Sequence, residues 1–382
     1  MQATGLICEY NPFHNGHLYH LNKVKELYKE NIIIAVVSSH FMQRGEVSIL
    51  NKWDKATLAL TMGVDLIIEL PFPFATQSAD IFARGSIEIL DTLGVQNIVF
   101  GSETDDIEKL EKYVDTQLHN KEYDKLVQKF LKEGYNYPTA LSKALSFFHI
   151  DKMDTPNDLL ALSYIKAIKE QGSSIRPISI LRKGEHHNKE LSPLCSGSAI
   201  RKAIKNGENV EKSCPKETQK YLEHPLFIED YFPYLKYKIL TEINDLQKYQ
   251  GVEEDLQKRI QETIIDCNSL EELIHKIKTK KYTYNRISRM FTHILCHFTK
   301  EEAKNMKEIE YIRVLGFSSK GRRYLNQIKK EVKIPIITHF GDSKSPMLKM
   351  EQRATYVYAS LLPDKEKLEL IEAEYKNKPI IF

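Results

Sequence analysis

Residues 5–20 read Gly-Leu-Ile-Cys-Glu-Tyr-Asn-Pro-Phe-His-Asn-Gly-His-Leu-Tyr-His, and how this stretch is read decides the fold. Gly5 to Tyr10 is apolar enough for a buried strand. Asn11-Pro12 breaks it, because proline has no N–H for a ladder and fixes its own φ. In His14-Asn15-Gly16-His17, Gly16 lets the backbone run close to a bulky group on which two imidazoles can converge. Leu18, Leu21, Val24 and Leu27 then recur at helical spacing, which places His17 at a helix start. Free amides and the positive end of a helix dipole favour an anion there, so strand, turn and helix together predict a phosphate site.

Further along the chain, Asn31–Ser38 is a continuous β-branched run, as expected of a strand covered on both faces, and Asp65–Leu70 and Asn97–Phe100 repeat the pattern. Helical segments over Lys52–Met62 and Ser78–Leu93 lie between them, each followed by a glycine suited to a C-cap, Gly63 and Gly94. Alternating strands and helices predict an α/β fold with a doubly wound parallel sheet, whose ligands bind at the carboxyl ends of the strands. The His-Asn-Gly-His turn and Gly101-Ser102-Glu103 both fall there. A helix beginning near Asp158 follows the Thr155-Pro156-Asn157 break, and Ile175–Leu181 reads as one more strand. That strand runs into Arg182-Lys183-Gly184-Glu185-His186-His187-Asn188, and Ser196–Arg201 opens another helix. Strand signals fade near residue 210, so the chain divides into 1–210, a catalytic domain, and 211–382, a mainly helical module. Two strand-like pieces, Tyr311–Leu315 and Val332–Thr338, interrupt the second part.

The chain has 382 residues and a net charge of only +3, but the charge is uneven. Between 276 and 335, sixteen Lys or Arg stand against five Asp or Glu, an excess that points to a polyanionic partner. Two basic clusters there carry tyrosines, Lys280-Lys281-Tyr282-Thr283-Tyr284-Asn285-Arg286-Ile287-Ser288-Arg289 and Lys320-Gly321-Arg322-Arg323-Tyr324. Cations bind phosphates and tyrosines stack on unpaired bases, which favours RNA over a merely solvated helix face. The five cysteines are scattered and show no close pair, so no structural metal is predicted. With no apolar run long enough to span a bilayer and no secretory leader pattern, the expected location is the cytoplasm, without membrane contact.

Neither a P-loop nor a Gly-x-Gly-x-x-Gly fingerprint follows the first strand, so phosphate binding has to come from elsewhere, and two histidines three apart around a glycine can both donate to phosphate oxygens. His14-Asn15-Gly16-His17 and Ser198-Ala199-Ile200-Arg201 resemble the two signatures of the nucleotidylyltransferase superfamily. The Gly5–His17 stretch, Gln43-Arg44-Gly45-Glu46, Asp65–Pro71, Gly101-Ser102-Glu103 and Pro156-Asn157-Asp158 together resemble the bacterial tRNA(Met) cytidine acetate ligase family along the whole chain. Where that family usually carries a Ser-Thr pair, this chain has Ser196-Gly197-Ser198.

The resemblance implies a nucleotidylyltransferase (Rossmann-like) domain that activates acetate with ATP, with Mg²⁺, and acetylates the wobble cytidine of elongator tRNA(Met). It implies His14 and His17 as catalytic residues. The ATP site would comprise Ile7, Cys8, Glu9, Tyr10, Asn11, Pro12, Phe13, His14, Asn15, Gly16, His17, Leu18, His20, Gly101, Asn157, Arg182, Ser198 and Arg201. Gly16 would be there to spare the nucleotide a collision. Among possible cationic supports for the phosphates, Arg201 and Arg182 rank ahead of Lys52 and Arg84. Glu9 and Glu69 could hold water or Mg²⁺, or satisfy loop amides. Lys280, Lys281, Tyr284, Arg286, Arg289, Lys320, Arg322 and Arg323 are the candidate tRNA contacts. Two alternatives stay open at this point: an adenylyl- or cytidylyltransferase acting on a small phosphorylated precursor, and a non-catalytic RNA-binding scaffold.

Overall fold

The computed structural model describes residues 1–148, 150, 153, 155–182 and 192–382. The N-terminal half runs β1 (Ala3–Cys8), α1 (Asn15–Leu27), β2 (Ile32–Ser38), α2 (Lys52–Thr61), β3 (Leu66–Leu70), α3 (Phe72–Ala75), α4 (Ala79–Thr92) and β4 (Asn97–Ser102). It continues with α5 (Ile107–His119), α6 (Lys121–Lys132), α7 (Tyr137–Ser146), α8 (Pro156–Glu170), β5 (Arg176–Leu181) and α9 (Gly197–Lys205). All seven residues of β2 are buried, as their unbroken apolar run demands, and β2 lies near the middle of the sheet. Gly63 and Gly94 close α2 and α4 with φ of +94° and +70°, values that a side chain would resist.

The strand order is β5-β4-β1-β2-β3-β6-β7, where β6 is Ile312–Phe317 and β7 is Ile336–Ile337, and β8 (Ile380–Ile381) also pairs with β6. The first five strands are mutually parallel, while β6 lies antiparallel on β3, so the sheet is mixed and mostly parallel. It draws on both sides of residue 210. The remainder of 211–382 is mainly helical and includes the helix Tyr284–Leu295, which sits over the carboxyl ends of the parallel strands. There Ser288 and Thr292 donate their hydroxyls to the Gly45 carbonyl (3.1 and 2.9 Å), and His293 Nε2 meets the Thr76 carbonyl at 2.7 Å.

A buried ion cluster fastens the late elements to the early ones. Lys52 Nζ on α2 lies 2.7 Å from Glu69 on β3 and 2.7 Å from Glu374, and Arg313 on β6 pairs with both carboxylates. Glu351 is 3.9 Å from Lys52. Every member is at most 4% exposed, so the two cations and three carboxylates answer one another in place of water.

Candidate functional site

The segment between β1 and α1 folds as a histidine-capped helix start. His14 is the N-cap of α1. Its Nδ1 accepts from Gly16 N–H (3.0 Å), while His17 Nδ1 accepts from His14 N–H (3.2 Å). Those two bonds fix the tautomers, because a ring nitrogen that accepts carries no proton, and each neutral imidazole must therefore hold its proton on Nε2. The rings lie 3.8 Å apart. Burial pushes His14 down to about 3, assisted by Arg182 and Arg201. Burial, with His14 and His20 adjacent, holds His17 well below the usual range. The site thus presents two neutral N–H donors.

Opposite them is the first turn of α9. Ser196 is its N-cap, accepting from Ala199 N–H, and its Oγ lies 3.0 Å from Ser198 Oγ. A β-carbon at Gly197 would come within 3.6 Å of His14 Nε2 and 3.4 Å of the Asn11 carbonyl, so the helix start and the imidazole nearly touch. Donor imidazoles facing a helix N-terminus form a receptor for a phosphate oxygen. Arg201 Nη1 donates to the Asn11 carbonyl (2.9 Å) and Nη2 pairs with Glu46 (2.5 Å), so this guanidinium is anchored. Arg182 is held more loosely, with Nη1 3.9 Å from Glu103.

The end of β4 forms the other wall. Beyond Gly101 the space is open, with nothing within 4 Å of where a β-carbon would sit. Asn157 is no N-cap, since Thr155 caps α8. Instead Asn157 Nδ2 donates to Glu103 (2.5 Å), and Asp158 N–H does so too (3.1 Å). Burial would raise the Asp158 carboxyl, but bonds from Ser102 (2.6 Å), Thr104 (2.6 Å) and Thr155 (2.8 Å) outweigh it and hold the group below the ordinary range. This knot fixes the loop after β4.

Several roles differ from the sequence expectations. A β-carbon on Gly16 would lie 2.7 Å from His14 Cε1, so the glycine makes room for the imidazole. Lys52 and Glu69 belong to the buried ion cluster and are not available to phosphate or Mg²⁺. Arg84 lies on α4, its guanidinium carbon 5.9 Å from the Phe74 ring centre. Asn15 Nδ2 donates to the Pro193 and Lys212 carbonyls, and Asn11 accepts from Ile49 N–H, so these two side chains brace the turn. Phe13 and Tyr10 pack against the His17 ring. Ile7, Cys8, Leu18 and His20 are half-buried, Pro12 is buried, and Ser198 is exposed. The His186-His187 pair lies outside the described residues.

Sequence reasoning missed Gln43 and Lys55. Gln43 N–H donates to Glu9 (2.6 Å), and Lys55 Nζ donates to the Ser38 and Ser39 carbonyls (2.9 Å each). Burial lowers Lys55 to about 7 and raises Glu9. The Gln43-Arg44-Gly45-Glu46 string was a signal, since Gly45 takes φ +78° and a β-carbon there would strike Arg289 N at 2.4 Å.

The structure does not bring the two basic clusters together. Lys280, Lys281, Tyr284, Arg286 and Arg289 lie on or just before the helix at the carboxyl ends of the strands, where Lys281 and Arg286 pair with Glu253. Because β6 is antiparallel, the helix Ser319–Ile328 that follows it starts at the opposite end, and Ser318 Oγ donates to Asp65, just ahead of β3 (2.7 Å). Lys320, Arg322 and Arg323 are exposed there. Tyr282 and Tyr324 are buried with bonded hydroxyls, to Asp255 and to the Leu93 carbonyl, and cannot stack on a base. Tyr284 is exposed.

A family model described as HIGH Nucleotidyl Transferase matches residues 1–372. The tRNA(Met) cytidine acetate ligases of Anoxybacillus flavithermus and Oceanobacillus iheyensis are each 38% identical to the chain over 400 residues, with 100% of both sequences covered. Among solved structures, apo Thermotoga maritima TmcAL has a TM-score of 0.92 and the same protein bound with alpha-thio ATP one of 0.90. Each is 33% identical and covers 100% of both chains.

Proposed function

We propose, from the fact that this chain belongs to the tRNA(Met) cytidine acetate ligase family of HIGH nucleotidyl transferases, that it activates acetate with ATP and acetylates the wobble cytidine of elongator tRNA(Met). The observation that carries this reading is the pair of Nε2–H donors of His14 and His17 set against the N-terminus of α9. An acetate oxygen attacks the α-phosphorus of ATP, and the bond to the pyrophosphate oxygen breaks. Charge grows on the α-phosphoryl oxygens, where pre-placed donors in a partly desolvated site are worth most. The cytidine amine then attacks the acyl carbon of acetyl-adenylate, AMP leaves, and the nitrogen loses a proton.

Mg²⁺ finds no protein cage among the described residues. Among the described residues no cluster of three His, Cys, Asp or Glu could hold a metal, Glu46 is paired with Arg201, and Glu9 accepts from Gln43. An ion arriving with ATP would be held by phosphate oxygens and water. Gly101, Asn157, Arg182, Ser198 and Arg201 frame the nucleotide. The helix Tyr284–Leu295 meets the RNA beside the site, and Lys320, Arg322 and Arg323 meet its backbone at the far end of the sheet. Such a substrate places the enzyme in the cytoplasm, and no described helix is long and apolar enough to cross a membrane.

The test is pyrophosphate exchange into ATP. Exchange that requires acetate supports the ligase, exchange that requires a phosphorylated precursor supports a nucleotidyltransferase, and none under either condition leaves a scaffold. His17→Ala should slow acetate-dependent exchange by the equivalent of about 2–4 kcal/mol, the scale of one lost donor to a developing oxyanion.

A further inference from the structure

A cavity of about 610 Å³ lies between α4, α8 and the helix Tyr284–Leu295, outside the His14/His17 turn. It is large enough for a nucleotide. Its lining mixes apolar side chains, Leu159, Leu160 and Met290 among them, with the cations Arg44, Lys166, Lys281, Arg286 and Arg289, against a single carboxylate, Asp80, among the described walls.

Two of these cations lack a counter-charge among the described residues. Arg286 pairs with Glu253 and Lys166 approaches Glu170 at 4.0 Å, whereas Arg44 and Arg289, both half-buried, have no carboxylate partner among the described residues. An arginine withdrawn from water without a partner is costly, and an anion delivered by a ligand would relieve it. Gln43 connects this cavity to the catalytic turn. Its backbone N–H holds Glu9, and its Nε2 donates to the Gln77 carbonyl at 3.0 Å, which leaves Oε1 as an acceptor. Gly45, with no room for a side chain against Arg289, locks the two walls together.

We infer that this cavity receives the acceptor nucleotide swung out of its RNA, with Arg44 and Arg289 on its phosphates and Gln43 Oε1 accepting from the exocyclic amine of cytosine. An unpaired pyrimidine meets apolar side chains, an amide that separates an amine from a carbonyl, and cations for the backbone, which is how single-stranded RNA is read. The inference rests on the function proposed above.

The experiment uses the full chain and measures three quantities: acetate-dependent exchange, acetyl transfer to tRNA(Met), and equilibrium binding of an anticodon stem-loop RNA carrying cytidine or uridine at the wobble position. Arg289→Ala should raise the KM for tRNA about 10- to 100-fold, the scale of a lost charge-assisted bond. It should flatten the salt dependence by about one phosphate contact, leave the KM for ATP in exchange unchanged, and be partly rescued by Arg289→Lys. Gln43→Ala keeps the backbone bond to Glu9 and should abolish the preference for cytidine over uridine. Unchanged tRNA KM and unchanged cytidine preference would overturn the inference, and so would a raised KM for ATP. If the wild type shows no acetate-dependent exchange, the proposed function fails. The cavity is then judged by stem-loop binding alone, in which equal affinity of wild type and Arg44→Ala would overturn it.

Discussion

Replacing Gly16 with alanine separates two reasons for having a glycine in the catalytic turn. The new β-carbon would lie 2.7 Å from His14 Cε1 and 2.9 Å from Nδ1, where carbon atoms prefer about 3.5–4.0 Å. The imidazole has to retreat by roughly 0.8 Å or more and loses the 3.0 Å bond from Gly16 N–H that sets its tautomer. A misplacement of about 1 Å in a catalytic group costs on the order of 10²-fold in rate, or about 2.7 kcal/mol. The same substitution in the first turn of α1 favours the helix by up to about 1 kcal/mol. The expected result is an enzyme that melts no earlier than wild type but exchanges pyrophosphate about a hundredfold more slowly at saturating ATP. Exchange within about threefold of wild type would refute the placement of His14, and a loss confined to the KM for ATP would show that the glycine faces the nucleotide.

Other consequences can be measured with the same protein. Burial keeps the imidazoles of His14, His20 and His293 neutral, pushing them down to about 3, 4 and 4 from an ordinary 6.5. In the unfolded chain they gain protons as pH falls below 6.5, so each costs about 1.4 kcal/mol of stability per pH unit from there down toward its folded value. Melting temperature should drop between pH 6.5 and 5, while the exchange rate shows no ascending limb near 6.5. A histidine-like limb at that pH would mean that the imidazoles work as cations. Glu374→Ala removes a carboxylate shared by Lys52 and Arg313 and should cost about 3–5 kcal/mol. Denaturation should remain a single transition, because the cluster joins residues on both sides of 210, and two separated transitions would show that the halves fold apart.

What the sequence made legible is what local pattern determines. Ile32–Ser38 could be read as a central strand because every residue in it is apolar or small, and the His14–His17 turn as a helix start because the break, the glycine and the helical period are adjacent. Tyr311–Leu315 was legible as a strand, but nothing local says that it pairs antiparallel with β3. That direction alone decides which end of the sheet Lys320, Arg322 and Arg323 occupy. Lys52 could be named only as a possible phosphate cation, since its partner Glu374 lies over 300 positions away. The collision reserved by Gly16 was invisible because it depends on the rotamer of His14.

The site's two arginines are placed for different work. Arg201 is bound at both ends, to the Asn11 carbonyl and to Glu46, and withdrawing it would strand a carboxylate and loosen the turn that carries His14. Arg182 is only 3.9 Å from Glu103, and that carboxylate also accepts from Asn157 Nδ2 and Asp158 N–H. Glu103 would therefore stay satisfied if Arg182 left it, so under the function proposed above Arg182 is the arginine able to follow the pyrophosphate in and out. Neutral imidazoles fit that division, since dipolar donors oppose product release less than two further fixed charges would. Under that proposal the histidines would attend to the charge that develops at the α-phosphorus, and the permanent charge of the leaving group would fall to a side chain that can let go.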